Sequence, residues 1–217
     1  MSGALPRFVL ASSSPARLSV LRAAGLDPQV LVSGVDEDAV LAATAGAPAA
    51  DRLVALARAK ADAVLGQVAG PAVLLGCDSM LLVDGELVGK PGTADAARAR
   101  WRRLTGRSGE LLTGHAVMRL DAAGQVTARA AATRRTGVVF GEVPPEQIDA
   151  YVATGEPLAV AGAFTLDGLG GWFVERIDGD PSNVIGVSLP LVRALLAEVG
   201  VAVTDLWHPR PGRDCPA

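Results

Sequence analysis

The sequence predicts an α/β protein built on a mixed sheet, and three observations carry that prediction. Short apolar runs with strand character alternate with stretches of helical periodicity along the chain. Asp84-Gly85 between two apolar runs signals a tight hairpin, so the sheet is mixed rather than purely parallel. No internal repeat and no linker divides the 217 residues, which suit one domain over residues 1–206 and a flexible tail over 207–217 with three prolines.

Residues 7–11 form a short apolar strand. Ser12-Ser13-Ser14-Pro15 follows and opens a helix to about Ala24, with Ser14 as N-cap, Pro15 at the first helical position and Gly25 as stop. Residues 29–33 read as a second strand ending in Asp36-Glu37-Asp38, and residues 42–50 as a loop. Asp51 starts a helix with Leu53, Leu56, Lys60 and Val64 near one face. Residues 73–75 are a buried strand leading into Cys77-Asp78-Ser79, and residues 81–83 and 86–88 are the hairpin arms. Thr93 caps a helix that Gly106 stops after Leu104. Residues 111–120 and 125–141 have strand character, and residues 145–154 are helical. Residues 162–171 are a flexible glycine-rich loop. A strand at 171–177, a helix at 190–199 and a last strand at 201–206 complete the chain.

Half the residues are apolar but only eight are aromatic, so the core is mainly Ala, Val and Leu. A net charge of −3 argues against a general nucleic-acid binder. Cys77 and Cys215 allow neither a disulfide framework nor a zinc site. No signal peptide is recognisable, and no apolar stretch reaches the roughly 18 residues of a membrane span, so a cytoplasmic location without membrane attachment is expected.

The cations are the most telling part of the composition: eighteen arginines but only two lysines, Lys60 and Lys90. A compact ammonium and a planar guanidinium are not interchangeable against a phosphate oxygen, so both lysines are candidates for chemistry. Four constellations accompany them. Ser12-Ser13-Ser14-Pro15 with Arg17 offers hydroxyls, a cation and a helix N-terminus to a phosphate, or else simple capping by Ser14. Asp36-Glu37-Asp38 could hold Mg²⁺ or be a solvated acidic loop. Asp78, expected at the end of a buried strand, could activate water or hold a metal, or cap a turn. Gly89-Lys90-Pro91 fails the P-loop test, because Pro91 replaces Ser/Thr and no helix starts there, but Lys90 can still reach a phosphate as a point charge. His115 is expected to be structural, Cys77 a small buried residue, and Trp101, Trp172 and Trp207 packing residues. Together these residues fit a polyphosphate substrate, a divalent metal and water as nucleophile.

In order along the chain, the same residues resemble the Maf family of nucleotide pyrophosphatases. The resemblance is carried by Leu10-Ala11-Ser12-Ser13-Ser14-Pro15-Ala16-Arg17, Val35-Asp36-Glu37, Ala57-Arg58-Ala59-Lys60-Ala61, Gly76-Cys77-Asp78-Ser79 and Gly89-Lys90-Pro91. It continues through Tyr151-Val152, Gly155-Glu156-Pro157, Ala161-Gly162-Ala163-Phe164 and Ser182-Asn183-Val184-Ile185-Gly186, spanning roughly residues 7–200. Both lysines fall on motif positions.

The resemblance implies an elongated, two-lobed Maf/ITPase-like fold, with a strongly twisted mixed sheet flanked by helices around a central cleft, often as a homodimer. It implies hydrolysis of a nucleoside triphosphate between the α and β phosphates, non-standard nucleotides among the substrates, with Mg²⁺ or Mn²⁺. Asp78 is then the catalytic acid/base, Glu37 a catalytic or metal-associated carboxylate with Asp78, and Lys60 and Lys90 catalytic cations. Ser12, Ser14 and Arg17 handle phosphate, and Ala16, Ser79 and Asp167 face the base. The dTTP/UTP type of the family carries Arg, Thr and Gln at those last three places, and the 7-methyl-GTP type Trp, Gln and Glu. This chain departs from both, and resembles the second only in the charge of Asp167. A regulator of septum formation that binds nucleotide with little turnover is the alternative reading, and a nucleotidyltransferase a third.

Overall fold

The computed structural model describes residues 7–208. Its seven strands are β1 (Arg7–Ala11), β2 (Gln29–Val30), β3 (Ala72–Val83), β4 (Glu86–Val88), β5 (Ser108–Leu120), β6 (Val126–Phe140) and β7 (Val174–Asp178). They form one sheet in the order β2-β1-β3-β5-β6-β7, with β4 also paired to β3. β2, β1 and β3 run parallel, and every other pairing is antiparallel, as the hairpin signal requires. At about 3.4 Å per residue, β5 and β6 each extend on the order of 40 Å, which elongates the molecule.

The helices are α1 (Pro15–Ala23), α2 (Glu37–Ala43), α3 (Ala49–Val64), α4 (Ala94–Leu104), α5 (Pro145–Ala153), α6 (Pro181–Ile185) and α7 (Leu189–Glu198). Side-chain capping accounts for five of the seven starts. Ser14, Asp36, Thr93, Asp180 and Ser188 each accept a backbone N–H in the first turn. Asp84 and Gly85 both take positive φ, 50° and 78°, as a tight hairpin turn demands.

Two lobes share the long strands. In one, α3 covers one face of the sheet and α1 and α7 the other, over cores of Val, Leu and Ala. In the other, α4 and α5 pack at the far end, where Trp101 meets Phe140, Tyr151 and Phe173 edge-on and donates its indole N–H to the Ala163 carbonyl at 2.8 Å. Among the described residues no helix is long and apolar enough to cross a membrane.

Several sequence expectations change. The acidic trio does not end a strand, because β2 stops at Val30 and Asp36 instead caps α2, accepting from Ala39 N–H at 3.0 Å. The stretch 42–50 is partly helical, divided between the ends of α2 and α3. Asp78 lies within a strand rather than at its end, since β3 continues unbroken from Ala72 to Val83. Residues 181–185 form α6, a helix too short for periodicity to reveal. The expected last strand is a 3₁₀ turn at Val203–Leu206. Trp207 and His208, expected in the tail, pack back on Gly25, whose carbonyl accepts from His208 N–H at 2.8 Å; the rest of the expected tail, 209–217, lies outside the described residues. Trp172 is exposed rather than packed.

Candidate active site

The sheet has a notch. β1 pairs with β3 only as far as Gly76, and β4 pairs with the same edge of β3 only from Leu81. Among the described residues no strand covers Cys77–Ser79–Met80 on that side. A cavity of about 790 Å³ opens there, between the two lobes. Ser12, Ser14, Ala16, Arg17, Glu37, Lys60, Asp78, Ser79, Lys90 and Asp167, the ten residues singled out in the sequence, all line it.

Glycine places the first cation. A Cβ on Gly76 would lie 2.2 Å from the Ala57 carbonyl oxygen, and one on Gly114 2.0 Å from that of Leu53. Only glycine lets the α3 backbone rest this closely on β3 and β5. Strand alternation puts Asp78 on the same face as Gly76, directly under α3. Lys60, buried on α3, therefore meets Asp78 in a hydrogen-bonded ion pair. Its ammonium also contacts Glu37 Oε1 of α2 at 2.7 Å. Two carboxylates from separate elements thus converge on one point, with one lysine between them.

Alternation puts Ser79 on the opposite face, beside Arg17 of α1. The buried Arg17 guanidinium donates to Ser12 Oγ at 3.0 Å, to Ser79 Oγ at 2.9 Å and to the Gly186 carbonyl at 2.8 Å. Much of its donor capacity is spent holding β1, β3 and α6 together. Ser12 Oγ also accepts from Ser14 N–H at 3.2 Å, so its proton remains for a ligand in the cavity. Ser14 Oγ accepts from Arg17 N–H at 3.4 Å and caps α1. Lys90 follows β4 on a segment fixed by Arg100, which donates to the Gly89 carbonyl. Among the described residues Lys90 has no ion-pair partner, so its charge is open to a substrate.

The loop carrying Asp167 is built by Glu156. Its carboxylate accepts from Tyr151 Oη at 2.9 Å, Thr165 Oγ1 at 2.5 Å, Leu169 N–H at 3.1 Å and Gly170 N–H at 3.1 Å. Residues 162–171, expected to be a flexible loop, thereby include 3₁₀ turns tied to one anion. Burial raises the Glu156 pKa, but the hydrogen bonds from Thr165, Leu169, Gly170 and Tyr151 outweigh it and hold the carboxyl below its ordinary 4.5. A depressed folded-state pKa gives stability that is present above the unfolded value and lost as pH falls through the folded one. Glu156→Gln should therefore lower the melting temperature at neutral pH, with the difference from the parent shrinking as pH falls below about 4.5. A constant difference down to about pH 3 would refute the role of the charge.

His115 is structural. Ser188 N–H donates to Nε2 at 2.9 Å, which leaves the proton on Nδ1 to be donated to the Thr113 carbonyl at 3.0 Å. Burial, followed by the Arg17 charge, pushes its pKa down to about 3. Cys77 is fully buried, and burial pushes its thiol up to about 12, which excludes a reactive thiolate.

Among the described residues no group of three or more His, Cys, Asp or Glu could hold a metal ion, so two carboxylates are the donor set on offer. Such a set fits Mg²⁺ or Mn²⁺, which take one or two carboxylates with waters and substrate phosphates. Sequence reading missed Thr113, Glu156 as the organiser of its loop, and the two glycines under α3. Thr113-Gly114-His115, polar and small within an apolar strand, was the available signal.

The chain is similar over nearly its whole length to proteins named nucleoside triphosphate pyrophosphatase. It is 61% identical over 211 residues to that of Saccharopolyspora erythraea, covering 95% of this chain and 100% of that protein. It is 62% identical over 205 residues to that of Rhodococcus jostii, covering 92% and 95%, and 61% over 207 residues to that of Nocardia farcinica, covering 93% and 97%. The family model described as Maf-like protein matches residues 7–199, which take in every side chain of the cavity just described, and the chain belongs to the Maf family.

Proposed function

We propose that this protein is a nucleoside triphosphate pyrophosphatase, adding water across the α–β anhydride to give a nucleoside monophosphate and pyrophosphate. The observation that carries this reading is the convergence of Glu37 and Asp78 on the buried Lys60 inside the notch, whose lining also includes Ser12 and Lys90. The names of the relatives support it.

In this mechanism Ser12 O–H, the N-terminus of α1, Lys60 and Lys90 bind the triphosphate. Arg17 holds Ser12 and Ser79 in place and has further N–H groups for an oxyanion. Asp78 accepts the proton of the attacking water. Lys60 supplies the counter-charge for both carboxylates, and Lys90 meets the charge that develops on departing pyrophosphate. Glu37 and Asp78 would hold Mg²⁺ or Mn²⁺, which neutralises phosphate charge when bound. Ala16 leaves room for the base, and Asp167 accepts N–H groups from it, since Glu156 rather than Asp167 organises that loop. A cytoplasmic location, where such substrates are found, and a homodimer belong to the same proposal.

The test is a triphosphate panel with Mg²⁺ or Mn²⁺ and chromatographic identification of products. Equal amounts of monophosphate and pyrophosphate are expected, with loss of activity in EDTA and recovery on adding either ion. Orthophosphate with diphosphate would sink the α–β assignment. Binding without turnover would favour a regulator, and full activity after exhaustive chelation would exclude the metal.

A further inference from the structure

Thr113 on β5 is fully buried and lies behind the cavity without lining it. Across the sheet it pairs with Ser79, which does line it. Three contacts run in series. Arg17 Nη2 meets Ser79 Oγ at 2.9 Å, Ser79 Oγ meets Thr113 Oγ1 at 2.9 Å, and Thr113 Oγ1 meets the Asn183 carbonyl at 3.2 Å.

The ends of this series fix the direction of its middle. A carbonyl oxygen only accepts, so the one Thr113 hydroxyl proton points to Asn183. Thr113 then accepts from Ser79, and the one Ser79 proton is committed to Thr113. A guanidinium only donates, so Ser79 receives Arg17 on its other side. What Ser79 presents to the cavity is a lone pair and no proton. The Asn183 carbonyl is held in place, because its own Nδ2 donates to the Leu111 carbonyl at 3.1 Å and to Thr136 Oγ1 at 3.0 Å.

Ser12 has the opposite polarity. It accepts from both Arg17 and Ser14 and keeps its proton for the cavity. A phosphate oxygen, itself an acceptor, is matched by Ser12 and repelled by Ser79. The Ser79 side of the cavity therefore suits an N–H or O–H of the nucleoside.

We propose that Thr113 is a positioning residue that determines specificity: by accepting the Ser79 hydroxyl hydrogen bond it makes Ser79 an obligatory acceptor toward the cavity, selecting a substrate N–H over an isosteric carbonyl. This rests on the nucleotide-hydrolysing reading of the cavity. The experiment compares kcat/KM for CTP against UTP and ATP against ITP, pairs that exchange an exocyclic amino group for a carbonyl and turn the adjacent ring nitrogen from acceptor to N–H donor. It uses the parent, Thr113→Val and Thr113→Ser. Thr113→Val frees the Ser79 proton to donate to an acceptor on the base, and at least one of the two ratios should shift about tenfold, chiefly through KM. Thr113→Ser keeps the hydroxyl and should keep the parent ratios. Packing alone predicts the reverse order, because Val matches Thr in shape while Ser leaves a void. Unchanged ratios in Thr113→Val, or an equal shift in Thr113→Ser, would overturn the proposal. Neutron diffraction decides it independently of turnover. The deuteron of Ser79 should point to Thr113 and that of Thr113 to Asn183, and a Ser79 deuteron aimed into the cavity would overturn it. A parent that hydrolyses no triphosphate, yet shows the expected deuterons, would remove the pyrophosphatase reading and leave the polarity of Ser79 standing.

Discussion

Asp78→Asn is expected to lose at least about 100-fold in kcat with the fold retained, the scale of losing a general base. The amide keeps the size of the side chain and one oxygen to accept from Lys60, but it cannot take a proton from water. It also withdraws one of the two carboxylates offered to a cation. Glu37 Oε1, 2.7 Å from the Lys60 ammonium, keeps that charge partly compensated. Stability should therefore change less than activity. Steady-state kinetics and thermal unfolding on the same preparation check both halves. Turnover retained in a correctly folded Asp78→Asn protein would remove Asp78 from the chemistry.

Lys60→Ala is expected to lower the rate by about 10²–10³, as for other electrostatic donors in active sites, and to destabilise the fold as well. Lys60 and Asp78 are both buried, so removing the lysine leaves an uncompensated charge, which typically costs about 3–5 kcal/mol. Lys60→Arg restores the charge but not the geometry. The ammonium is a compact donor shared between Glu37 and Asp78, and the contact of α3 with Gly76 leaves no slack for a wider planar group. The arginine variant should recover stability more fully than rate, as measured by denaturant unfolding and kcat. An arginine variant with parental kcat would overturn the argument drawn from the two lysines.

The sequence by itself determined what depends on near neighbours. Ser14, Thr93 and Asp84-Gly85 set helix starts and a hairpin through hydrogen bonds and backbone angles within four residues, and the structure keeps each of them. The scarcity of lysine pointed to Lys60 and Lys90, and both line the cavity. What only the tertiary structure decided depends on partners far along the chain. Read locally, Gly76 and the polar Asp78-Ser79 break the apolar run, so a strand end was expected there. Pairing with β5 from Ala72 to Leu82 carries β3 straight through, and places Asp78 and Ser79 on opposite faces of one strand. Read locally, the acidic trio that includes Glu37 allowed a Mg²⁺ site or a solvated loop, and only the placement of α2 brings Glu37 to Lys60. Thr113 offers as a local signal only its polarity within an apolar strand, and its link to Ser79 and Asn183 exists only when β3, β5 and α6 are assembled. Caps and turns are satisfied by adjacent residues and are legible in sequence. The direction of a buried hydrogen-bond chain is set by its ends, Arg17 and the Asn183 carbonyl, which lie far apart in sequence, and becomes definite only once folding has fixed which acceptor each donor faces.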